Sequence, residues 1–236
     1  MILNTIPFEL DVTQLFQRLR LDPASQHAEG ILAVAREAAA VARPKAVFRE
    51  AFIDARGADT VTVEGTRFTS RVLRANLAEV ERVFPYVATC GVEMDAVPLP
   101  ADDFLAGFCR DVVKEMALHA ATVHLNVHLK RRYGLVRITA MHPGSGDAQV
   151  WPIQQQQPLF ALLGDVEAQI GVRLTESSLM WPNKSVSGIY YPAEVDFVTC
   201  RLCHREVCVR RRAPFDPELW RHRMAGPAPS PHGSPG

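Results

Sequence analysis

The sequence contains no run of about 18 apolar residues, the minimum for a membrane-spanning helix, so no span is expected. It has no surplus of either charge, with 26 basic against 26 acidic residues. No net field therefore favours nucleic acid or an anionic membrane surface. The opening, MILNTIPFELD, lacks a basic start followed by a long apolar stretch, so a secretory signal is not expected. Cysteine is sparse and odd in number: five in 236 residues, three of them within nine. That is not a secreted disulfide framework, and a reduced, cytoplasmic protein is expected. GxSxG, P-loop and HExxH motifs are missing, and no catalytic residue is assigned. His124 and His128 are four apart, but no glutamate follows His124, so with His119 they read as ordinary helix residues.

What is there suffices for a normal core, since 47% of the residues are hydrophobic. The length suits one large domain or two small ones. Asp22-Pro23 has the chemistry of a helix start, followed by the stripe Ile31, Val34, Ala35, Ala38, Val41, Ala42. Residues 46–55 and Thr60–Val63 read as strands, "LAEVERVF" as a helix and "PYVATCG" as a short strand. The longest helix is expected from about Pro100 to Arg132, burying Phe104, Leu105, Phe108, Val112 and Met116. Gly134–Thr139 and "EVDFVTC" read as strands and Pro158–Leu163 as a short helix. Without a regular βαβ alternation, the expected class is α+β, with a twisted antiparallel or mixed sheet flanked by helices. Residues 1–212 are expected as one domain and 213–236 as a tail. The Pro-, Gly- and Ser-rich end from about residue 226 is expected to be disordered.

Two constellations could carry chemistry. In "RITAMHPGSGD", Arg137 precedes a Pro-Gly turn, where a guanidinium can grip a carboxylate through two parallel hydrogen bonds. Gly144 and Gly146 would let backbone approach a ligand. The same residues also suit a plain surface charge beside a turn. The second constellation is Cys200, Cys203 and Cys208. The CxxC half suits a tetrahedral zinc or an iron–sulfur cluster, with His204, Cys90 or Cys109 as fourth ligand. The alternative is three free thiols. Arg210–Arg212 could dock an acidic partner or form a solvated edge.

Arg137-Ile-Thr-Ala-Met-His-Pro-Gly144 is followed by Leu174-Thr-Glu-Ser177, Met180-Trp-Pro182, Ser185-Val-Ser-Gly188 and Tyr190-Tyr191. In order and spacing these resemble the reactivation domain of cobalamin-dependent methionine synthase. In that family an arginine precedes a Gly-Tyr-Pro-Ala turn, and the later motifs recur. The clear likeness covers about Arg137 to Phe197. It implies the antiparallel fold, S-adenosylmethionine held in a shallow groove, and cobalamin carried by a partner. By this likeness Arg137 would hold the ligand carboxylate, Gly144 would offer backbone contacts and Tyr190 would line the groove. His142 stands where the family has tyrosine, which would make binding weaker or pH-dependent. Glu115, with Asp111 behind it, is the candidate acidic contact from the long helix; as an alternative, both are a solvated face. Glu176 would contact ligand or cap a strand end, and Ser185 and Ser187 would line a wall or bond local backbone.

The likeness also implies absences. There is no Asp-x-His-x-x-Gly cobalamin motif, and the chain is too short for the barrels that bind homocysteine and methyltetrahydrofolate. The expectation is a stand-alone module acting on a corrinoid protein or a methionine synthase without its own such domain. Flavodoxin or ferredoxin would donate the electron, and an iron–sulfur site at the cysteines would admit it. The alternatives are a metal-bearing electron-transfer protein and a non-catalytic S-adenosylmethionine-binding module.

Overall fold

The structure, a computed structural model, describes residues 1–99, 102–194, 197–208 and 211–224. In chain order, β1 (Ile2–Leu3), α1 (Val12–Leu19) and α2 (Ala28–Val41) come first. Four strands, β2 (Lys45–Phe48), β3 (Ala51–Arg56), β4 (Thr60–Val63) and β5 (Thr66–Thr69), lead to α3 (Arg71–Asn76) and β6 (Arg82–Thr89). Then follow α4 (Phe104–Tyr133), β7 (Ile138–Met141), α5 (Gln156–Leu163), α6 (Val166–Ile170), β8 (Arg173–Leu174) and β9 (Met180–Trp181). The chain closes with β10 (Ser185–Pro192), a 3-10 turn at Thr199–Leu202 and α7 (Pro217–Met224).

These elements form two compact units. The first comprises Met1–Arg49, Tyr86–Val136 and Leu163–Ser187. Its core joins Leu15, Ile31, Ala35 and Ala38 to Cys109, Val112, Val113, Met116 and Ala117 on α4. Its sheet pairs β1 with β2 and β2 with β6, both antiparallel. Asp103 caps α4 by accepting from the Ala106 N–H at 2.8 Å, and Lys130, Arg131 and Arg132 complement the dipole at its other end. Lys114, on the same helix, is buried and pairs with Asp95.

The second unit comprises Glu50–Pro85, Arg137–Leu162 and Gly188–Gly236. It pairs β6 with β3, β3 with β4, β4 with β5, and β7 with β10, all antiparallel. Its core includes Val61, Val63, Phe68, Leu73, Met141, Trp151, Ile189 and Tyr191. The α+β class and the antiparallel sheet read from the sequence are those observed. No helix among the described residues is long and apolar enough to cross a membrane.

Several local readings change. The segment "LAEVERVF" is not a helix: Val83 and Phe84 are buried in β6, whose packing overrides the helical preference of Leu, Ala and Glu. Pro85, with no N–H to give, falls between the β6–β3 and β6–β2 pairings. Helix α2 starts at Ala28, because Asp22 instead accepts from the Ala24 N–H at 2.9 Å in a turn. On α4, Val112 and Met116 are buried, but Phe104 is 85% exposed and Phe108 52%. The buried stripe there runs through Ala106, Cys109 and Val113. In "EVDFVTC", the described part turns into the 3-10 segment, and Val195 and Asp196 lie outside the described residues. The tail region contains α7, capped by Asp216, which accepts from Leu219 N–H at 2.9 Å. The end expected to be disordered lies outside the described residues.

Candidate ligand-binding site

In the second unit, β7 and β10 pair with the register Ile138↔Pro192, Thr139↔Tyr191, Ala140↔Tyr190 and Met141↔Ile189. Strand side chains alternate faces, so the two buried columns differ. Met141, Ile189 and Tyr191 join the core cluster. Tyr190 and Ala140 occupy the opposite face, and Tyr190 is also buried.

Arg137 sits immediately before β7 and is exposed. Its carbonyl accepts from the Ala193 N–H at 3.4 Å, and its guanidinium donates to the Glu194 carbonyl. After β7 the chain turns through His142 to Gly146. The Ser145 N–H donates to the His142 carbonyl at 3.2 Å, and the Gly144 N–H to the Trp151 carbonyl at 2.8 Å. Gly144 has φ +76°, and a Cβ there would lie 3.0 Å from Ile153. Gly146 has φ +85°, and a Cβ there would lie 3.0 Å from the Thr199 methyl. His142 is half-buried. Arg137 and the His142–Gly144 turn thus flank β7 at its two ends, and Tyr190 lies on the strand paired with it.

Glu176 and Glu115 lie in the first unit. There the segment from Arg173 to Ser187 begins with the hairpin of β8 and β9, where Arg173 stands over the Trp181 ring at 5.0 Å. At its turn the Ser178 N–H donates to the Thr175 carbonyl at 2.9 Å, and Glu176 is exposed at the tip. A cis peptide joins Trp181 to Pro182. Ser185 donates to the Pro182 carbonyl at 2.8 Å and bonds Thr89 Oγ1 at 2.9 Å, so this hydroxyl serves local structure. Glu115 pairs with Arg18 at 3.3 Å. Asp111, one turn earlier on α4, pairs with Lys184 at 2.8 Å, tying the helix to this segment. Sequence reading missed that link, since nothing local couples residues so distant in the chain.

The cysteine segment corrects an expectation. Among the described residues, no group of three or more His, Cys, Asp or Glu side chains is placed to hold a metal. Cys200, Cys203 and Cys208 are free and half-buried. The guanidinium of Arg211 occupies their loop, donating to the carbonyls of Cys200 at 3.4 Å, Cys203 at 3.5 Å and Ala213 at 3.3 Å, and to that of Arg205. A fixed cation in the loop opposes a metal ion there. The suggested fourth ligands are also engaged elsewhere. His204 Nδ1 lies 3.1 Å from Asp147 Oδ2, with its ring against Phe215 and Trp220. Burial pushes the Cys90 thiol up to about 12 and the Cys109 thiol up to about 11, as for inert core thiols. A bound iron–sulfur cluster or zinc is therefore not supported by these residues.

The chain has the fold of the MetH reactivation domain, whose crystal structure bound to AdoHcy matches it with a TM-score of 0.53 and 17% identity, covering 84% of this chain and 81% of that one. Residues 112–206 match the model of a family described as vitamin B12 dependent methionine synthase, activation domain. The resemblance read from the motifs is thereby shown. No curated protein matches the chain.

Proposed function

We propose that this protein binds S-adenosylmethionine and supports reductive methylation of cobalamin carried by a separate corrinoid protein. The observation that carries the reading is the β7–β10 ladder, which joins Arg137, the His142–Gly144 turn and Tyr190 in one unit. The family match over the same segment and the AdoHcy bound to the similar MetH domain support it.

Each residue has a physical task. Arg137 offers a planar fork of N–H donors matched to a carboxylate. Glycine at 144 keeps backbone close and free of a Cβ. Tyr190 presents an aromatic wall, and His142 adds a polar ring beside it. S-adenosylmethionine supplies the methyl group, and the chain contributes proximity and orientation. The electron would come from a separate low-potential donor of the flavodoxin or ferredoxin kind. The partner would be a methionine synthase lacking its own such domain or another corrinoid protein, in the reduced cytoplasm. The five free cysteines agree with that compartment.

The test is reconstitution. A corrinoid protein in its cob(II)alamin state is mixed with this protein, S-adenosylmethionine and a reductant, and the methylcobalamin spectrum is followed. Formation that depends on this protein supports the reading. Binding of S-adenosylmethionine without methylation would leave a non-catalytic binding module.

A further inference from the structure

The CxxC segment has a geometry that the ligand-binding reading does not use. The Cys203 N–H donates to the Cys200 carbonyl at 3.2 Å, closing a turn across the motif. Residues so related have Cα atoms within about 7 Å, which overlaps the roughly 4.4–6.8 Å span of a disulfide. Arg211 holds this turn through both cysteine carbonyls. Both thiols are partly exposed, unlike the core thiols Cys90 and Cys109. Burial disfavours the Cys200 thiolate, but the N–H groups of Arg212 and Ala213 and the Arg212 guanidinium outweigh it, holding the thiol below its ordinary pKa.

The turn also abuts the candidate ligand loop. The Cβ position of Gly146 is 3.0 Å from the Thr199 methyl and 3.8 Å from Cys203 Cβ. Asp147 in that loop meets His204, the residue after Cys203, at 3.1 Å. A change in the shape of the turn must therefore be felt at residues 142–147.

We propose that Cys200 and Cys203 form a redox-active dithiol that low-molecular-weight disulfides convert to an intramolecular disulfide, shifting loop 142–147. The Cys200 thiolate attacks one sulfur of the small disulfide, forming a mixed disulfide and expelling one small thiolate. Cys203 loses its proton to solvent and attacks the Cys200 sulfur, and the second small thiolate leaves. The protein gives up two electrons, and one small disulfide becomes two thiols. The consequence for ligand affinity rests on the S-adenosylmethionine reading, whereas the pairing itself does not.

The experiment uses the full chain, reduced, then equilibrated with oxidised glutathione, blocked with a maleimide and mapped by peptide mass spectrometry. The expected result is a Cys200–Cys203 crosslink, with Cys90 and Cys109 unlabelled until denaturation. In Cys203→Ser the reaction should stop at a mixed disulfide on Cys200. A crosslink through Cys208, or full labelling of Cys200 and Cys203 at high oxidant, overturns the pairing. Coupling is read by hydrogen exchange at Gly144 and Val150, whose N–H groups hold the loop. Oxidation should change their exchange rates about tenfold, and unchanged rates overturn the coupling. S-adenosylmethionine titration of both redox forms then separates the readings. An affinity that shifts with oxidation supports both, whereas a crosslink with altered exchange and no binding in either form overturns the ligand reading alone.

Discussion

At the scale of single residues, three environments lead to predictions. His128 packs edge-on against Phe48 at 5.5 Å, and burial, then the charges of Arg132, His124 and Arg131, lower its pKa. The unfolded chain, with histidine near its usual value of about 6.5, then binds more protons than the folded one in the window below that value. Stability present above about pH 6.5 is therefore lost as pH falls through the folded pKa. His128→Gln should flatten that acid limb in denaturant melts run across pH. Lys114 depends on Asp95 inside the first unit. Asp95→Asn leaves a buried ammonium without its counter-charge and should cost about 3–5 kcal/mol by urea unfolding. Gly144→Ala places a side chain at positive φ against Ile153. It should cost about 1 kcal/mol or more of stability and weaken S-adenosylmethionine binding, whereas undiminished affinity would remove that turn from the site.

At the scale of elements, the sequence disclosed what local chemistry decides. The alternation of Thr60-Val61-Thr62-Val63 appears as β4 with both valines buried, and the Ile31, Ala35, Ala38 stripe is the inner face of α2. It misled where partners distant in the chain decide. Val83 and Phe84 could have continued a helix until the sheet claimed them, and β10 was hidden in a motif read for its ligand contacts. The N-terminal turn of α4 shows the same limit, since Phe104 has helical spacing yet faces solvent. Leu125→Ala, in the buried stripe of α4, should cost about 2–5 kcal/mol in thermal or urea melts. Phe104→Ser should stay within about 0.5 kcal/mol.

At the scale of the whole molecule, two cores organise the chain, one closed by residues from two separate segments and the other by residues from three. A candidate site built on the β7–β10 ladder follows from that assembly, because its strands are some fifty residues apart in sequence and meet only as paired neighbours. The composite motif made the likeness to the reactivation-domain fold legible, since Arg137, the Pro-Gly turn and the Tyr pair kept their order. The cysteine spacing suggested a metal because CxxC fits thiolate ligation, but spacing could not reveal that Arg211 fills the loop.

The most direct check is calorimetric titration of the reduced protein with S-adenosylmethionine, beside Arg137→Ala. The account predicts saturable single-site binding that weakens by about 1.5–3 kcal/mol, roughly ten- to 150-fold, when the guanidinium is removed. No heat of binding in the unaltered protein, or the same dissociation constant in both, would contradict it.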